Sequence, residues 1–114
     1  MEKIFRQALL YDFYGELLTP RQRKVYEDVI HHDLSLGEIA DEEGISRQGV
    51  HDLAKRCDHI LQGYEDKLHL VRKFTETQEK IQKIIALTEA EGGGLSERMA
   101  SIRKLSMELL ETGP

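Results

Sequence analysis

From Val50 to Val71 apolar side chains recur in steps of three and four, at Val50, Leu53, Ala54, Cys57, Ile60, Leu61, Tyr64, Leu68 and Val71. Only an α-helix gathers such positions on one side, because it turns by about 100° per residue whereas a strand changes sides at every residue. The stripe predicts a single helix from Ser46 to about Arg72, roughly 40 Å long at ~1.5 Å per residue, unless Gly63 bends it. A continuous apolar face of that length needs other helices to cover it. The composition supplies them: 15 Leu and 9 Ile stand against only 2 Pro and 6% aromatic residues, which favours an all-α fold.

Upstream, Ile4, Phe5, Ala8, Leu9, Tyr11, Phe13 and Leu17 have the spacing of a first helix over Lys3 to Leu18 with a wide buried face, its end loosened at Gly15. Thr19 can cap a second helix that starts at Pro20, where the missing N–H is harmless, and that turns Val25, Val29 and Ile30 inward. His31 and His32 stand where this helix should stop, and their protonated forms suit the negative end of its dipole. Ser35 caps a short third helix with Leu36, Ile39 and Ala40, Glu38 follows three residues on as in a capping box, and Gly44 ends it. Ser46 caps the fourth. Ile81, Ile84, Ile85 and Leu87 form a later stripe and Leu95, Met99, Ile102, Leu105 and Leu109 the last, separated by Gly92-Gly93-Gly94, with Ser96 placed to cap the final helix. The expected organisation is a helix-turn-helix domain over 1–63, a C-terminal helical extension over 64–111 that folds as a hairpin, and a disordered tail at 112–114.

Sixteen Lys and Arg face 21 Asp and Glu, a formal charge of −5. Domains that hold nucleic acid by overall charge carry a basic surplus, so a nucleic-acid reading here must rest on a local patch. The lone Cys57 forms no internal disulfide, fits a reducing cytoplasm, and reads as a small buried hydrophobe on the inward stripe. No apolar run approaches ~18 residues and no signal-peptide core follows Met1, so neither membrane insertion nor secretion is expected. His31 and His32 point about 100° apart and cannot chelate from one face. His51 and Cys57 make neither a ligand pair nor a dyad, and His59 and His69 read as solvated helix residues. Gly92-Gly93-Gly94 lacks the strand, the Lys and the Ser or Thr of a phosphate-binding loop. No catalytic residue, metal site or cofactor is expected, and the chain reads as a binding protein rather than an enzyme.

Leu36 to Leu53 carries the packing code of a helix-turn-helix. Ala40 is small where two helices cross, Gly44 can take φ > 0 in the turn, Ile45 follows it, Ser46 caps the second helix, and Val50 and Leu53 line its inner face. Docked in a major groove, that helix would turn Ser46, Arg47, Gln48 and His51 to the bases, with Arg47 matched to guanine and Gln48 to adenine. Lys55 and Arg56 would hold phosphates, and Arg21, Arg23 and Lys24 at the second helix start would add backbone contacts. Against this, residues 19–63 hold six basic and nine acidic side chains, a net of −3, with Asp52 on the recognition helix and Asp41-Glu42-Glu43 beside the turn. Acids so placed repel phosphates, so the same face also reads as a protein-binding surface.

Three segments carry a resemblance: Leu18-Thr19-Pro20-Arg21-Gln22-Arg23-Lys24-Val25, Ser35-Leu36-Gly37-Glu38-Ile39-Ala40 and Gly44-Ile45-Ser46-Arg47-Gln48-Gly49-Val50. Over residues 18–61 the chain resembles region 4 of bacterial sigma factors, which implies promoter-type DNA reading through Arg47, Gln48 and His51. No other sigma region is present. With Tyr11-Asp12-Phe13-Tyr14-Gly15-Glu16-Leu17-Leu18, Asp52-Leu53-Ala54-Lys55-Arg56 and the helical C-terminus added, residues 1–110 resemble the YlxM-type helix-turn-helix proteins of Gram-positive bacteria. That resemblance implies a small cytoplasmic protein encoded beside the signal recognition particle GTPase, with an accessory or regulatory role in protein targeting. The partners it leaves open are DNA and the signal recognition particle GTPase or its RNA. The other reading is a sequence-specific transcriptional regulator unrelated to targeting. Separately, the apolar stripes of the C-terminal helices need cover, either by folding back against the long fourth helix or, the reading favoured, by pairing with a second copy in a homodimer.

Overall fold

A computed structural model describes residues 2–31, 34–89 and 94–111. Helix α1 (Lys3–Tyr14) runs into a turn of 3-10 helix (Gly15–Leu17), followed by α2 (Pro20–His31), α3 (Leu36–Glu43), α4 (Arg47–Leu68), α5 (Leu70–Glu89) and α6 (Leu95–Glu111), with no strand among the described residues. The fold is an all-α helix-turn-helix bundle with a long fourth helix and a C-terminal hairpin. The chain forms two compact units, Met1–Val71 and Arg72–Pro114.

The helix starts follow from their caps. Ahead of α2, the Thr19 hydroxyl accepts from the Gln22 N–H at 3.2 Å while the Gln22 side-chain oxygen accepts from the Thr19 N–H at 2.9 Å. Ser35 and Glu38 form the same reciprocal box ahead of α3. The Ser46 hydroxyl accepts from the Gly49 N–H at 2.9 Å and starts α4. Each box satisfies backbone donors that the first helical turn leaves without partners. Gly44 closes α3 at φ +68°, the left-handed conformation for which a side chain is costly. At Gly15 the demand is for room: a Cβ there would stand 2.7 Å from the Tyr11 ring.

Two clusters make up the core of the first unit. One joins Leu10, Tyr14 and Leu18 with Tyr26 and Ile30 of α2, Ala54, Cys57 and Leu61 of α4, and Val71. The other joins Val25 of α2, Ile39 and Ala40 of α3 and Val50 of α4. Helix α4 thus has one end in each. Several expected core residues lie outside it: Ile4, Phe5, Leu17, Leu36 and Leu68 are exposed, and Leu10 and Tyr14 are the buried positions of α1. A stripe drawn through every apolar residue of α1 covers more of the helix than a single neighbouring face can bury.

The long stripe does not make a single helix to Arg72. Helix α4 stops at Leu68, His69 adopts the left-handed conformation at φ 56°, and α5 begins at Leu70, so His69 is not a helix residue and Gly63 is not the break. Glu65 stands at this break, buried where the apolar pattern would have placed Leu68. Its Oε1 accepts from the Tyr14 hydroxyl at 2.6 Å and from the Val71 N–H at 2.9 Å, while the Tyr14 oxygen accepts from the Leu70 N–H at 3.1 Å. Side chains from α4 and α1 thereby cap α5, with a carboxyl group at the positive end of its dipole. Burial, and then the contact with Glu65, raise the Tyr14 hydroxyl above its ordinary pKa.

Burial pushes the Cys57 thiol up to about 11, aided by neighbouring Asp58. Because the thiolate is the nucleophile, a disulfide-exchange reagent at pH 8 should label the folded protein only as fast as it opens, and should react at once in denaturant. Immediate stoichiometric labelling of the native chain would contradict this burial.

Helix α6 starts at Leu95 rather than behind Ser96. Gly94 precedes it at φ 85° and its carbonyl accepts from the Arg98 N–H, so the left-handed glycine takes the place given to the serine. Gly92, Gly93, His32 and the tail at 112–114 lie outside the described residues.

Candidate nucleic-acid interface

Helices α3 and α4, joined by the Gly44–Ser46 turn, form the helix-turn-helix, and the second core cluster fixes one against the other. Ala40 is buried at the crossing, and Val50 is fully buried on the inner side of α4. With Val50 inward, Arg47, Gln48, His51, Lys55 and Arg56 are exposed along the N-terminal half of α4, together with Ser46 ahead of it. From Arg47 to Arg56 the five helical residues spread over about 180° of α4 at ~100° per residue, on the side away from Val50.

Their present contacts differ. The Ser46 hydroxyl is engaged as the cap of α4. Gln48 donates its side-chain N–H to Asp52 at 2.9 Å, one turn along, and His51 Nδ1 lies 3.8 Å from the same carboxylate. Arg47 reaches back over α3, where a Cβ on Gly37 would stand 3.1 Å from its guanidinium. Gly37 therefore gives Arg47 its resting place. Beneath it is a groove of about 410 Å³ between α3 and the start of α4, lined by Ser35, Gly37, Glu38, Asp41, Ser46 and Arg47 among others. Residues ten apart in sequence and on different helices leave no periodic signal, and the groove was not visible in the sequence.

The α2 bases do not act together. Arg21 pairs with Glu43 at 3.3 Å, and Lys24 with Glu43 at 3.3 Å and Glu42 at 3.7 Å. Lys24, and to a lesser extent Arg21, hold the Glu43 carboxyl below its ordinary pKa, and Glu43 in return raises that of Lys24. Arg23, two residues from Arg21 and so about 200° round the helix, interacts instead with the Tyr11 hydroxyl of α1. Arg21 and Lys24 thus neutralise part of the acidic cluster beside the turn. Among the described residues no three His, Cys, Asp or Glu side chains gather to hold a metal ion, and no helix is long and apolar enough to cross a membrane.

A family model, UPF0122, described as "Putative helix-turn-helix protein, YlxM / p13 like", matches residues 1–99. The chain belongs to this family. A UPF0122 protein of Desulforamulus reducens is 38% identical over 112 residues, spanning 97% of this chain and 96% of its own length. Another, from Bacillus thuringiensis, is 46% identical over 91 residues, 80% of this chain and 83% of that relative. A third, from Caldanaerobacter subterraneus, is 54% identical over 77 residues, 68% of this chain and 66% of that relative. UPF0122 membership and the α3–α4 geometry agree on a helix-turn-helix.

Proposed function

We propose that this protein is a cytoplasmic, non-catalytic regulator that binds nucleic acid through α4 and serves the protein-targeting pathway of the signal recognition particle. The observation that carries the binding step is the exposed row Arg47, Gln48, His51, Lys55 and Arg56 on the Ser46-capped helix of a helix-turn-helix. Arg47 and Gln48 would read bases while Lys55 and Arg56 hold phosphates. The link to targeting rests on the family resemblance. The reading includes a homodimer, which would set two recognition helices at a fixed half-site spacing.

Fluorescence anisotropy with a pool of labelled genomic duplexes tests the binding step. Contacts from Lys55 and Arg56 to two phosphates predict about a 12-fold loss of affinity between ~50 and ~200 mM salt. Arg47→Glu, at an exposed first-turn position, should weaken binding at least ~10-fold with an unchanged circular dichroism spectrum. Salt-insensitive binding, or binding that ignores Arg47→Glu, would remove α4 as the reader. A second reading has the acidic positions Asp41, Glu42 and Asp52, all exposed, in its favour. Here the helix-turn-helix is a protein-binding scaffold whose partner is the signal recognition particle GTPase. No duplex binding at tens of micromolar, together with capture by the purified GTPase, would favour it.

A further inference from the structure

The second unit has no buried side chain in α6, and none in α5 after Val71. Its two helices meet along a half-buried seam of Ile84 and Leu87 on α5 and Ile102, Leu105 and Leu109 on α6, with Lys80 and Glu108 paired at 3.5 Å. Ile81 and Ile85 lie about 60–100° round α5 from Ile84, and Leu95, Met99, Leu110 and Met107 about 20–140° round α6 from Ile102, all in the same rotational sense at ~100° per residue. In two antiparallel right-handed helices, the same sense of rotation from the seam leads to the same face of the pair. The hairpin therefore collects these six exposed apolar residues on one side.

We propose that this face is the homodimer interface, covered by the same face of a second copy related by a two-fold axis. The proposal names the surface for the homodimer reading above and rests on it. Two observations select a second copy as occupant. First, a 43-residue pair of helices with no buried core of its own is near the size at which association is usually needed for stability. Second, the exposures of the six residues run from 44% at Ile81 to 83% at Leu110. They leave roughly 600 Å² of apolar surface per copy, and so about 1,200 Å² for a symmetric pair, at the lower edge of stable interfaces.

The test is the molar mass of the full chain by light scattering at about 50 µM, where the expected value is about 26 kDa, twice 13.1 kDa. The double variant Met99→Glu with Met107→Glu alters only exposed positions and should give a monomer with unchanged helix content. A monomeric wild type would overturn both the homodimer and its surface. A dimer that survives the methionine double variant would overturn the surface alone and leave the homodimer standing.

Discussion

Replacing Glu65 by alanine is expected to destabilise the first unit by about 3–5 kcal/mol, because two buried donors lose their acceptor together. The Tyr14 hydroxyl and the Val71 N–H both donate to Glu65 Oε1, and the residue is only 5% exposed. For a domain of this size ~1 kcal/mol corresponds to roughly 4–8 °C in melting temperature, so the midpoint should fall by at least about 12 °C. Glu65→Gln keeps an oxygen at the same place and should cost only about 1 kcal/mol. Thermal melts followed by circular dichroism distinguish the two. An alanine variant melting within a few degrees of the parent would mean that the start of α5 is held by something other than this carboxyl group.

This network also marks where the sequence ceased to be informative. Helix starts were readable because Thr19, Ser35 and Ser46 act on N–H groups two or three residues away, and all three caps are present. The turn at Gly44 was readable for the same local reason. Glu65 was not, because Tyr14, its partner, is 51 residues distant and the apolar stripe offered Leu68 in its place. At the candidate interface, the exposure of Arg47, Gln48, His51, Lys55 and Arg56 followed from period and register alone. The contacts of Arg21 with Glu43, of Arg23 with Tyr11 and of Arg47 with Gly37 depend on how separate helices are set against each other, which no single-helix pattern encodes.

Ile39→Ala should cost about 2–5 kcal/mol, the range for removing three methyl or methylene groups from a close-packed site. Ile39 is completely buried among Val25, Ala40 and Val50, and is the largest side chain that α3 contributes. Its loss should loosen α3 in particular, since the other core cluster holds α1, α2 and α4 together without it. Amide hydrogen exchange should therefore accelerate most in α3 and the first turns of α4, and least near Leu61. Affinity for any ligand of α4 should fall along with it, since α3 sets the position of Arg47. Uniform acceleration across the unit would instead mean that the two clusters open as one.

Arg47 and Gln48 stand side by side yet answer an approaching partner differently. Gln48 already spends its donor on Asp52, so a base must outcompete an existing hydrogen bond before the amide turns outward. Arg47 rests on the bare backbone of Gly37 and has no ion pair among the described residues, so it leaves without breaking one. The first contact in an encounter would thus fall to the guanidinium, and selection among sequences to the slower commitment of its neighbour. A single residue step along the helix would then separate capture from choice.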